Sequence, residues 1–266
     1  MGGVSLPKPA LSSTTEQTLP GFFGKLPGRG DFIGRHLPKV FLEPWDRWLQ
    51  AAIADSRECL GASWQDSYCT SPIWRFALSA GLCGTQAHTG VLMPSMDRVG
   101  RYYPLAIVAP LSPDWPLLML PVDADDWFEQ AEQLALDGLS SNKLDLDTFD
   151  GQVISLGVPQ KMYVIDNNDR DDNAWYCPLP DSSQALSHSP MLAAYLLQRS
   201  FSRHSLWWTE GSEQITRCLL VCEGLPSPSR FAALLVGDWQ QWGWQEKPLN
   251  CMDLSSGFDT AEKESE

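Results

Sequence analysis

The sequence has no apolar run long enough to cross a bilayer. Its longest apolar stretches, around 105–109 and 218–221, have the length of strands, far below the roughly 18 residues a spanning helix needs. Residues 1–20 carry one lysine and no apolar h-region, so they do not read as a secretory signal. Positive charge is also scarce. Against 33 Asp and Glu there are only 19 Lys and Arg, a net charge of −14, which argues against a nucleic-acid groove or an anionic membrane surface as the chain's partner. Histidine is thinner still. His36, His88, His188 and His204 are scattered, and none has a second His or Cys at a metal-ligand spacing. The seven cysteines are odd in number and follow no disulfide framework, which is the usage expected of reduced thiols in the cytoplasm. Cys218 and Cys222 are four apart in an apolar run. As a strand they would share a face about 13 Å apart, too far for one zinc. No Gly-x-Ser-x-Gly elbow and no Cys/His signature is present either. The expectation is a chain without metal, cofactor or catalytic machinery, although a triad assembled only by the fold leaves no motif.

What is present is an apolar, aromatic globular composition: 43% hydrophobic residues and twelve tryptophans. Residues 1–20 are rich in Ser, Thr and Pro and read as a mobile tail, and 245–266 as a polar, acidic one. Between them, 21–244 alternates strand-like and helix-like patterns with no clear linker, which predicts one α/β domain. Phe22 to Leu26 reads as a first strand. Trp45, Trp48, Leu49, Ala52 and Ile53 mark one face of a helix that Pro44 opens and Gly61 ends. Strands are predicted at 73–78, 91–93, 102–109, 206–208 and 217–222, with a weaker one at 162–165. Helices are predicted at 125–139, from Ser189-Pro190 to about 200, and over 231–235; 167–174 reads as an exposed polar loop.

Two polar loops are the candidates for chemistry. Gly24-Lys25-Leu26-Pro27-Gly28-Arg29-Gly30-Asp31 follows a strand and has the glycines and cations of a phosphate loop. Its lysine comes first, however, and Pro27 removes a backbone donor, so a tight turn with polar anchors is the better reading. In Asp97-Arg98-Val99-Gly100-Arg101, two arginines either clamp an anionic group or pair with Asp97 to hold the turn shut. Lys25, Arg29, Asp31, Asp97, Arg98 and Arg101 are therefore the candidate polar or binding cluster, expected at one end of the sheet. Trp207 and Trp208 are adjacent on a strand and point to opposite faces, which makes them candidate interface aromatics.

These segments also carry a resemblance. Gly24 to Phe32, Trp45-Asp46-Arg47-Trp48-Leu49, Pro72-Ile73-Trp74-Arg75-Phe76, the run from Gly90-Val91-Leu92-Met93-Pro94 through Ser95-Met96-Asp97-Arg98-Val99-Gly100-Arg101 to Tyr102-Tyr103-Pro104-Leu105, and Ser205-Leu206-Trp207-Trp208-Thr209 resemble the TagF (ImpM) family of bacterial type VI secretion accessory proteins. Gly28 stands where that family usually has alanine, and 123–188 matches poorly. The resemblance implies a three-layer α/β/α domain, here expected with a mixed sheet. It also implies a post-translational repressor of secretion that binds the system's forkhead-associated scaffold protein in the cytoplasm, and the lack of a visible catalytic constellation makes that role non-enzymatic. An enzyme or sensor module that holds an anionic or nucleotide ligand between the two loops is the alternative. A structural part of the apparatus is a third.

Overall fold

The computed structural model describes residues 18–112, 115–140, 145–160 and 190–247. Seven strands, β1 (Gly21–Gly24), β2 (Ile33–Arg35), β3 (Trp74–Leu78), β4 (His88–Met93), β5 (Leu105–Pro110), β6 (His204–Thr209) and β7 (Cys218–Glu223), form one sheet in the order β2-β1-β5-β4-β3-β6-β7. Every pairing is antiparallel, which corrects the expected mixed sheet. The short connections over 25–32, 79–87 and 94–104 allow only hairpin-like returns, because a parallel pair needs a longer crossover.

Alternation along the central strands builds two cores. On β5, Leu105, Ile107 and Ala109 face one apolar cluster, while Ala106 and Val108 face the other. The first core takes Phe128, Ala131 and Ala135 from α4 (Asp125–Ser140) and Phe149 and Val153 from α5 (Leu146–Leu156). The second takes Trp45, Trp48 and Leu49 from α1 (Lys39–Leu60), Trp64 and Tyr68 from α2 (Trp64–Thr70) and Leu234 and Leu235 from α7 (Ala233–Val236). A short α3 (Leu120–Asp123) leads into α4, and α6 (Pro190–Ser200) precedes β6. Because β3, β4, β5 and β6 have apolar side chains on both faces, all four are buried along their whole length.

The helix expected to open at Pro44 begins a turn earlier, at Lys39, with Pro44 inside it. The strand expected over 102–109 begins at Leu105, since Tyr102 is tied back to Met96 in the preceding loop. β2, α2, α3 and α5 are additional to the sequence-predicted elements. The expected strand at 162–165, the polar loop over 167–174 and most of both tails lie outside the described residues. No helix among the described residues is long and apolar enough to cross a membrane.

Candidate functional site

The two polar loops meet because of the strand order. β1 and β4 lie on either side of β5 and both run antiparallel to it, so the loops that leave β1 and β4 emerge at the same end of the sheet. Gly24 makes the approach possible. Its φ is +146°, and a Cβ there would sit 2.1 Å from the carbonyl oxygen of Pro104, so no other residue fits without moving β5.

Asp97 is the hub. Buried at 2% exposure, it accepts from Lys25 Nζ at 3.0 Å and Arg101 Nε at 2.6 Å on Oδ2, and from the Val99 and Arg101 backbone N–H groups at 3.0 and 2.9 Å on Oδ1. Burial pushes its carboxyl up, but the backbone of Arg101, the Lys25 ammonium, the Arg101 guanidinium and the Val99 N–H together hold it well below the usual carboxylate range. Lys25 is buried too, with its ammonium 4.9 Å from the centre of the Phe32 ring. Ser95 Oγ donates to the Lys25 carbonyl at 2.7 Å. The Tyr68 hydroxyl donates to the Ser95 carbonyl at 3.0 Å and accepts from its N–H at 3.1 Å. The loops are stitched together directly as well: Arg98 N–H donates to the Arg29 carbonyl at 2.8 Å, the Arg101 guanidinium donates to the Gly30 carbonyl, and it lies 4.0 Å from Asp31.

The six candidate residues thus converge, but they divide into two kinds. Lys25 and Asp97 are interior; Arg29, Asp31, Arg98 and Arg101 are exposed around them. Arg29 also lies near Asp145, whose carboxyl is held down first by the Thr148 hydroxyl and N–H that it caps and last by Arg29. Phe32 was not among the sequence candidates, although its motif was. It stacks on Phe23 at 5.5 Å and meets Tyr103 edge-on at 4.7 Å, yet remains 48% exposed. Tyr103 in turn donates to Asp46 of α1 at 2.6 Å, which ties the Trp45-Asp46 motif to this end of the sheet. Arg75 was also missed: almost wholly buried on β3, it donates to Asp125 and, at 2.7 and 3.0 Å, to both oxygens of Glu132 on α4.

Trp207 and Trp208 do not form an exposed interface. β6 is an interior strand between β3 and β7, so Trp207 is buried in the second core and Trp208 in the first. Trp45, Trp48, Trp64, Trp74, Trp115 and Trp127 are buried likewise, so these rings are spent on the fold. Conventional nucleophiles fare no better. The thiols of Cys59, Cys69, Cys83, Cys218 and Cys222 are all shifted upward, chiefly by burial, the reverse of an activated thiolate. Among the described residues no group of three or more His, Cys, Asp or Glu is placed to hold a metal. A shallow groove between Tyr68, Pro72, Trp74, Pro94, Pro104 and Leu234 has no charged lining.

The motifs at this site have a counterpart among known proteins. Residues 21–156 match the family model described as the TagF N-terminal domain, type VI secretion system-associated. The chain belongs to the TagF family. It is therefore a type VI secretion-associated protein; the motifs between Gly24 and Leu105 fall within the TagF match, and the Ser205–Thr209 motif on β6 lies beyond it. The crystal structure of PA0076 from Pseudomonas aeruginosa PAO1 is similar at 38% identity with a TM-score of 0.69, covering 87% of this chain and 98% of that one. None of the curated proteins matches the chain.

Proposed function

We propose that this TagF-family chain is a non-catalytic, post-translational repressor of type VI secretion that works in the cytoplasm by binding the system's forkhead-associated scaffold protein. The observation that carries the non-catalytic part is the closure of the Asp97 hub. Both of its cationic partners, Lys25 and Arg101, are engaged by the same carboxylate, so this buried cluster holds a loop surface in shape and those two cations are not free to cradle a reacting anion. Family membership supports the secretion role, and the repressor role and the partner come with the TagF resemblance. The three-layer arrangement expected of such a domain is supported by the two cores, each with its own helices.

The test is binding of recombinant, unphosphorylated full-length chain to the purified scaffold, with secretion assayed in parallel. A stoichiometric complex is expected, with excess chain blocking secretion and deletion raising it. A complex that forms only after phosphorylation, or no complex under any condition, removes respectively the folded-surface mechanism or the partner. The anionic-ligand alternative predicts instead a thermal shift with inorganic pyrophosphate or a nucleotide, worth about 2.7 kcal/mol at 100 times the dissociation constant.

A further inference from the structure

The rim of the Asp97 hub is more ordered than an exposed turn requires. Val99 is 65% exposed at the tip of its loop, yet its own N–H and that of Arg101 are both fixed by Asp97 Oδ1. Phe32 is held from behind by two aromatic rings and still presents half its surface. The two apolar groups flank the same buried pair, since Lys25 lies 4.9 Å from the Phe32 ring and 3.0 Å from Asp97, whose other oxygen holds Val99. Next to them the Arg98 guanidinium is exposed near Gly30 and forms no ion pair with any described residue.

An exposed aromatic ring beside an arginine that has no ion pair among the described residues is the composition enriched in protein interfaces, and an apolar group on a backbone already held in place costs little to order on binding. We infer that Phe32, Val99 and Arg98 form a docking surface for a segment of a folded protein partner that carries one carboxylate beside an apolar side chain. The carboxylate pairs with Arg98, and the apolar group seats on Phe32 and Val99. Charge complementarity selects this occupant over a polyanion. Although Arg29 and Arg101 are exposed on the same rim, Arg101 is held by Asp97 with Asp31 beside it and Arg29 lies near Asp145, so Arg98 is the rim arginine left for one carboxylate. The chain's −14 disfavours nucleic acid, a polyphosphate or an anionic membrane at longer range. This rests on the binding reading above, but it fixes the face and its chemistry and does not depend on which partner protein is bound.

The experiment is photo-crosslinking of the full-length chain in cells that carry the secretion apparatus. p-Benzoylphenylalanine is placed at Val99 and, as exposed controls, at Val122 and Val221. Capture of the scaffold at Val99 alone, mapped to a segment with an Asp or Glu beside an apolar residue, is expected. Arg98→Glu and Arg98→Gln should each lower the yield at least tenfold with the thermal midpoint unchanged. Capture of a different protein through such a segment, with the same loss on Arg98→Glu, upholds the surface and removes the scaffold as partner. Capture of the scaffold at Val122 or Val221 but not at Val99 overturns the surface and leaves the scaffold reading intact. Linkage of Val99 to a second copy of the chain, a yield indifferent to both Arg98 substitutions, or no capture at any position overturns the inference. So does stabilisation by inorganic pyrophosphate that Arg98→Glu abolishes, which would mark a small-anion site.

Discussion

At the residue scale, the site depends on a buried charge that cannot lose its partners cheaply. Replacing Lys25 with Met keeps the volume but leaves Asp97 with Arg101 as its only cation, so the thermal midpoint should fall by several degrees. Asp97→Asn should do the same, and differential scanning calorimetry would show either. The sign with pH follows from the depressed carboxyl. Its stabilisation is present above the ordinary carboxylate range and drains away as pH drops below it, so the Asp97→Asn chain should lose less stability between neutral and acid pH than the parent. His88 acts over a different window. Burial against Phe41, 4.6 Å away, pushes its imidazole down to about 4, a shift that the backbone of Gln86 only partly opposes. The folded state therefore holds it neutral while the unfolded chain takes a proton near 6.5. Stability should be flat above that pH and fall by about 3 kcal/mol as pH descends to about 4. Urea titrations at pH 7 and 5 on the parent and on His88→Leu test this; equal slopes in the two proteins would remove His88 from the account.

At the scale of elements, what could be read from the sequence tracks how local its cause is. The α4 helix was legible to within a residue, because Trp127, Phe128, Ala131, Leu134 and Ala135 write its period plainly. β2 was not, since Gly34 and Arg35 are exposed and three residues cannot show an alternation. α5 was missed although Asp145 caps it, because its buried face is reduced to Phe149 and Val153. For the site, motif position was visible in the sequence, whereas the division into a buried Lys25–Asp97 pair and an exposed rim depends on β1 and β4 flanking β5, a non-local fact. The tryptophans misled for the same reason: alternation gives Trp207 and Trp208 opposite faces, but only the strand order shows that both faces are covered. Gly24 shows how tight the junction is. Gly24→Ala adds about 1–3 kcal/mol of backbone strain and a clash with Pro104, and should lower both stability and any binding made by the rim. Unchanged denaturant midpoints would mean that β5 yields more easily than this geometry allows. Arg75 is the corresponding strut on the other side: Arg75→Met should cost about 2 kcal/mol, less than a fully buried pair would, because Asp125 and Glu132 keep some water.

At the scale of the whole molecule, the family match stops at residue 156 but the sheet does not. β6 arrives from far along the chain and docks on the outer edge of β3, bringing Trp207 and Trp208 to the two cores. A fragment of residues 21–156 would hold five strands and leave the β3 edge over 74–78 open, with Trp74 and Phe76 uncovered. It should run as soluble aggregates on size exclusion and lack near-ultraviolet dichroism, and residues 190–247 supplied in trans should restore part of both signals. A monomeric fragment that unfolds cooperatively would make β6 and β7 an accessory. The same order of arrival governs synthesis on the ribosome. Until residue 209 has left the exit tunnel, the emerging half carries an unfilled hydrogen-bonding edge beside bare indole and phenyl rings, so slowing translation across that interval should lower the protein's yield in the cell, and a chaperone that holds the edge should restore it.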